Sequence, residues 1–172
     1  IIKSFFDLSI IPQVISNSIK RELIIKNKIY FKQGYFEDVY FIFRVLLCCE
    51  KRVIVRKHLY YKHNRESSIV NTLSSQHISD ALKGYTNSYN FLVKKNKKFS
   101  FYYYMRALVG ETSVLINRIS RFNITKIDKK KYYMQLHNLI RKHIPWLLKK
   151  YKFVSKKDIV FKDFIQNTEK YF

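Results

Sequence analysis

The chain has 172 residues, 47% of them hydrophobic and 17% aromatic, which suffices for a folded domain and excludes an intrinsically disordered chain. Its 34 lysines and arginines outnumber 12 acidic residues, and the net charge of +22 predicts attraction to polyanions such as nucleic acid, anionic membranes or phosphorylated substrates. Three glycines and two prolines leave no glycine-rich phosphate loop, and the adjacent Cys48 and Cys49 exclude a disulfide framework or a metal knuckle.

The first predicted elements lie before residue 64. Residues 20–26 predict a short amphipathic helix that stops at Asn27. The apolar spacing after Phe36 predicts a buried helix running to about residue 50, whose first turn holds Glu37 and Asp38. The positive end of that helix favours the ionised form of both carboxylates. The β-branched and aromatic residues of 52–63 predict a strand, a kink and a second short strand.

Long helices follow. Apolar periodicity predicts helices over 76–94, 99–121, 129–151 and 156–171, with Pro145 kinking or breaking the third. None of the apolar runs is long enough for a transmembrane helix, and no signal peptide is visible. The basic charge is spread evenly, with +11 in residues 1–98 and +11 in residues 99–172, whereas a dedicated nucleic-acid arm would concentrate it.

Two neighbouring segments combine residue types that suit group transfer. Residues 30–39, YFKQGYFEDV, place the carboxylates of Glu37 and Asp38 at a helix start. Residues 59–69, LYYKHNRESSI, supply the cation of Arg65 beside hydroxyls. A carboxylate can take the proton of an attacking hydroxyl, and a guanidinium with hydroxyls can hold phosphate oxygens. Together they predict transfer of a group from a diphosphate-bearing donor to an alcohol.

The same segments resemble the C-terminal part of a family 2 glycosyltransferase with the GT-A fold, of the kind that builds bacterial lipooligosaccharide, capsule and other cell-surface polysaccharides. Members show a K-R-E-L/F helix, an asparagine, an I-x-F strand, a glycine turn, an E-D pair opening a helix and an L-Y-Y-Y-R-x-R-x-x-S-I segment. The matching residues here are Lys20, Arg21, Glu22, Leu23, Asn27, Ile29, Phe31, Gly34, Glu37, Asp38, Leu59, Tyr60, Tyr61, His63, Arg65, Ser68 and Ile69.

The resemblance implies roles for five of these residues. Asp38 would be the general base with Glu37 as its neighbour, and Arg65 and Ser68 would lie on the donor side of the cleft. His63 stands where many members carry an additional arginine. The W-x-K that often precedes the first helix in the family is replaced here by ISNS at residues 15–18, which weakens an acceptor-binding role there.

Family members begin with alternating strands and helices that bind the nucleotide and end in a D-x-D motif holding Mn or Mg. The chain contains no D-x-D, so we expect a C-terminal fragment with no cofactor of its own, not competent alone to use a nucleotide sugar. The expected fold is mainly α (α+β), with residues 1–73 as the acceptor and base side of the GT-A domain and residues 74–172 as a helical extension. The resemblance further implies inversion at the sugar and a cytoplasmic location, peripheral at the inner face of the membrane.

Other interpretations of the same residues stay open. Glu37 and Asp38 can be ordinary first-turn helix acids, Arg65 a solvated loop residue and His63 a packed or surface histidine. The basic charge can be a compositional bias, and a helical nucleic-acid-binding module is the rival function.

Two further clusters also allow more than one interpretation. The aromatic residues of 99–104 suit base stacking or, more simply, a core and an interface. The lysines of 129–131, followed by Tyr132 and Tyr133, and Trp146 among Lys149, Lys150 and Lys152 are typical of a helix at an anionic membrane surface or of a solvated face. The five histidines lack metal-ligand spacing, so we expect no bound zinc.

Overall fold

The computed structural model describes residues 1–55, 57, 59–61, 63, 68, 71–95 and 101–172, which are largely helical. In chain order the helices are α1 (Ile2–Phe6), α2 (Arg21–Lys26), α3 (Glu37–Cys48), α4 (Ser75–Lys94), α5 (Phe101–Arg121), α6 (Lys126–Ile140), α7 (Ile144–Lys150) and α8 (Lys156–Gln166). Single 3-10 turns occupy Val14–Ser16, Arg141–His143 and Thr168–Lys170.

The expected GT-A sheet is wrong for the described part of the chain, which contains no strand. The two strands predicted within 52–63 are absent from the described residues of that range, where Val53 and Tyr61 are 85% and 82% exposed. The I-x-F segment forms none either: Ile29 is buried, while Phe31 stacks on Phe41 at 4.0 Å between ring centroids. Branched and aromatic side chains favour a strand only where a neighbouring strand takes up its backbone groups, and no described segment does so.

The helices predicted after residue 74 are confirmed, although several of their ends differ by a few residues. Helix α4 begins where Ser74 accepts a hydrogen bond from the backbone N–H of His77 (3.4 Å), and α8 begins at a capping box in which Ser155 and Asp158 bond reciprocally. The predicted break at Pro145 is also confirmed: α6 ends at Ile140, a 3-10 turn follows, and the proline lies in the first turn of α7.

An aromatic cluster joins α1, α3 and α4 at the centre of the core. The ring of Phe5 lies 5.2 Å from Phe43 and 5.4 Å from Tyr85, and Phe6 lies 6.0 Å from Phe43. Helix α4 packs on α3, α5 and α6, and α5 packs on α8. The sequence did not predict α1, because a five-residue helix is too short to display a period.

Helix α3 is held tightly against its neighbours. A Cβ on Gly84 of α4 would lie 2.6 Å from the Cβ of Val39, so the two backbones approach as closely as a glycine allows. The guanidinium of Arg44 lies 4.4 Å above the ring of Phe91 and donates to the backbone oxygen of Asn27 (3.2 Å). These contacts fix α3 against α4 and against the end of α2.

A membrane-crossing helix would need both sufficient length and sufficient apolar content. No helix in the described part of the chain meets that requirement.

Candidate active site

The turn that opens α3 is shaped by Gly34 and Asp80. Gly34 has a φ of +122°, and a Cβ at this position would lie 2.7 Å from Oδ2 of Asp80. The backbone N–H of Tyr35 donates to the same oxygen at 3.0 Å. Phe36 follows in the left-handed region, with a φ of 56°, and precedes the first residue of α3. The turn therefore directs Glu37 and Asp38 to the start of the helix, as the sequence predicted.

Asp80 is a buried carboxylate on α4 that anchors this turn. Besides the Tyr35 N–H, it accepts hydrogen bonds from Nε2 of Gln76 (2.7 Å) and Nζ of Lys83 (2.6 Å). Burial alone would raise its pKa, but the Lys83, Gln76 and Tyr35 donors outweigh burial and hold the pKa below the ordinary value. Asp80 therefore anchors the turn as an ionised carboxylate that accepts hydrogen bonds from these three donors.

A ring stack ties the same turn to the start of α4. The rings of Tyr35 and His77 lie 3.6 Å apart at 15°, and Nδ1 of His77 lies 2.7 Å from the hydroxyl of Ser74. The segment before α4 is held in turn by α5, because Arg118 donates to the backbone oxygen of Thr72 at 2.7 Å. The start of α3 is thus attached to a part of the fold that has little freedom to shift.

Asp38 is half-buried, whereas Glu37 is exposed. Burial, followed by the negative charge of Glu37, raises the pKa of Asp38, although backbone N–H groups of Asp38, Val39 and Val14 oppose that rise. The helix start alone predicts the opposite direction, and it is outweighed here by desolvation and the neighbouring charge. A higher pKa makes the ionised carboxylate a better proton acceptor.

The structure adds two residues that the sequence patterns did not single out, Tyr85 and Glu111. Burial and then the negative charges of Glu111 and Asp38 raise the pKa of Tyr85, so both carboxylates act on the same phenol. Burial raises the pKa of Glu111 to about 7, against the opposing charges of Lys157 and Arg118. The raised pKa values make Asp38 and Glu111 candidates for groups that exchange protons.

The structure describes two of the three other predicted site residues, His63 and Ser68. Arg65 lies outside the described residues. His63 is exposed, and Ser68 is half-buried with its backbone oxygen accepting from the N–H of Asn71 at 2.8 Å. Within the described segments, no hydrogen bond or ion pair joins His63 or Ser68 to the E-D pair. The donor side of the predicted cleft therefore stays a prediction.

The residues present do not fit the Mn or Mg that the resemblance implies. A protein site for such an ion is built from several oxygen ligands. Across the described residues, no group of three or more His, Cys, Asp or Glu side chains is arranged to hold a metal ion.

The aromatic residues Phe101, Tyr102, Tyr103 and Tyr104 at the start of α5 pack against the core, whereas Phe99 lies outside the described residues. Tyr104 is buried and stacks on Tyr89 at 4.5 Å, and Phe101 meets Trp146 edge to face at 5.1 Å. These contacts favour the interpretation that the aromatic residues belong to the core over the interpretation that they stack on nucleic-acid bases. The indole of Trp146, which the sequence suggested for a membrane surface, packs against Phe101 instead.

No protein-family model, curated protein or solved structure matches this chain. The resemblance to family 2 glycosyltransferases is therefore carried by the quoted residues alone.

Proposed function

We propose that this chain supplies the general base of a glycosyl transfer from a nucleotide sugar to a hydroxyl of a bacterial surface glycan. Asp38 is the proposed base, and Glu37 is the neighbour that raises its pKa. The observation that supports this most is the setting of Asp38: a half-buried carboxylate of raised pKa at the start of a helix that Asp80 and His77 hold in place.

In the proposed step Asp38 accepts the proton of the acceptor hydroxyl. The freed oxygen lone pair forms a bond to the anomeric carbon, and the bond from that carbon to the diphosphate breaks. The nucleoside diphosphate leaves with the electron pair, and attack from the opposite face inverts the sugar. Arg65 and Ser68 are assigned to the diphosphate, and His63 to the substrate side, by resemblance only.

The donor has to be bound by a nucleotide-binding unit that these 172 residues do not supply, since they contain no D-x-D. The proposed activity belongs in the cytoplasm, at the inner face of the membrane, where nucleotide sugars meet glycan acceptors.

The test joins this chain to the nucleotide-binding half of a family 2 transferase and measures acceptor-dependent release of nucleoside diphosphate. Asp38→Asn should lower turnover by about 10²-fold or more, because a general base contributes at least that factor. Asp128→Asn is the matched control, since Asp128 also lies in the first turn of a helix, α6, and should leave turnover within a few-fold. Turnover of Asp38→Asn close to that of the control contradicts the assignment.

A second candidate, binding to nucleic acid, is favoured by the unbalanced charge. Only two ion pairs form within the described residues, Lys83 with Asp80 and Lys170 with Asp163, against 34 basic side chains in the whole chain. Such binding would weaken steeply as salt rises, because each neutralised phosphate releases counterions. Filter binding at physiological salt separates the two candidates: retention supports this one, and its absence removes it.

A further inference from the structure

A cleft of about 210 Å³ lies between α4, α5 and the turn that follows α6, outside the proposed active site. Among the described residues, its lining includes Lys83, Lys142 and His143 and no carboxylate. The hydroxyls of Thr86 and Tyr104, which also line it, lie 3.0 Å apart. We call this space the basic cleft.

The charge of the basic cleft is available to a ligand. Lys83 shares its ammonium with the buried Asp80, but Lys142 is exposed and forms no ion pair within the described part of the chain. The ammonium groups of Lys83 and Lys142 can donate hydrogen bonds to the oxygens of a phosphate group. The volume of the cleft suits a phosphate and a short polar stem. It is smaller than the pockets for drug-sized ligands, whose volumes start at about 300 Å³.

An exposed apolar surface leads away from this cleft along α6. Ile127, Met134 and Leu139 form it, and Ile127 is 81% exposed. Lys130 and Lys131 lie beside it and line the same shallow concavity. We call the three apolar residues the α6 stripe. Leu139 lines both the concavity and the basic cleft, so the apolar surface and the cleft adjoin at this residue.

We infer that this surface binds an anionic phospholipid, with the phosphate in the basic cleft and the first part of an acyl chain on the α6 stripe. The charge complementarity of a lysine-bordered apolar face favours an anionic membrane over a neutral one. This inference is independent of Asp38 and of the proposed sugar transfer. It shares Lys130 and Lys131 with the membrane contact suggested by the sequence. It differs in the apolar part, which is the α6 stripe and not Tyr132, Tyr133 or Trp146.

The experiment is flotation with phosphatidylcholine vesicles, with and without phosphatidic acid. The protein should float only with the anionic vesicles. Lys142→Glu, which reverses charge at the basic cleft, should weaken that binding about tenfold more than Lys26→Glu, an equal change at the exposed end of α2. Met134→Asp should also weaken it, and far-UV circular dichroism should show that each variant keeps its helices.

Three results would overturn the inference. Equal losses for Lys142→Glu and Lys26→Glu would mean a diffuse electrostatic attraction with no particular site. If Met134→Asp binds the vesicles as strongly as the parent protein, the α6 stripe is not part of the binding surface. Absence of flotation, with a phosphorus NMR signal of inorganic phosphate that broadens on adding the parent protein and not Lys142→Glu, would make the cleft a site for soluble phosphate.

Discussion

The carboxylate of Asp80 occupies the space where a side chain on Gly34 would begin, with Oδ2 2.7 Å from the position of a Cβ. The two residues are far apart in sequence but fix one another: glycine permits the close approach and the φ of +122°, and the carboxylate accepts the next backbone N–H. The position of the E-D pair depends on this contact.

Replacing Gly34 should therefore be costly. Gly34→Ala should lower the free energy of unfolding by at least about 2 kcal/mol, because alanine is strained at this φ and its Cβ meets the carboxylate. Urea denaturation followed by circular dichroism measures this, with the exposed Gln33→Ala as control. A loss for Gly34→Ala no larger than that of Gln33→Ala would mean that the turn relaxes freely.

Glu111 should make the protein less stable as pH rises from 4.5 to about 7. The pKa of Glu111 is about 7 in the folded state and 4.5 ordinarily. Between these pH values the carboxyl ionises more readily in the unfolded chain, which lowers the free energy of the unfolded state relative to the folded state. Glu111→Gln should raise the free energy of unfolding by about 1–3 kcal/mol at pH 8 and by almost nothing below pH 4.5.

Thermal and urea unfolding at a series of pH values would show this difference. The exposed Glu169→Gln is the matched control and should follow the parent at every pH. If Glu111→Gln changes the free energy of unfolding equally at both ends of the pH range, the pKa of Glu111 is not raised in the folded protein.

Asp158 should act in the opposite sense. Burial would raise its pKa, but the N–H groups of Ser155 and Val154 and the hydroxyls of Ser155 and Tyr151 outweigh burial and lower it. Its contribution is present above the ordinary value of 3.8 and is lost as pH falls through the lower folded value. Asp158→Asn should cost about 1–3 kcal/mol at pH 7, and the difference should narrow in acid.

The first turn of α6 provides the comparison for Asp158. Asp128→Asn removes a similar first-turn acid and should cost less than about 1 kcal/mol, because its partner Thr125 is open to water. Unfolding curves for the two variants at pH 7 that superimpose would contradict the buried role of Asp158.

The sequence predicted what depends on near neighbours. Apolar periodicity located α4, α5 and α8, and the acidic pair marked the first turn of α3. The partnership of Asp80 with Tyr35 joins residues 45 positions apart, which no local pattern encodes. Glu111 did leave a signal, as the only acid within the apolar sequence of α5. The strand prediction for the described residues of 52–63 was wrong because strand pairing depends on distant segments, whereas composition indicates only a local preference for the extended backbone.

The exposed β-branched residues Val53 and Ile54 have a consequence for how the purified protein behaves in solution. Mutual repulsion between molecules of charge +22 keeps these adhesive surfaces apart at low ionic strength. Added salt shortens the range of that repulsion to about 3 Å at 1 M, so colloidal stability should fall as the buffer becomes more concentrated. Light scattering should therefore increase with sodium chloride, and Val53→Lys with Ile54→Lys should suppress the increase.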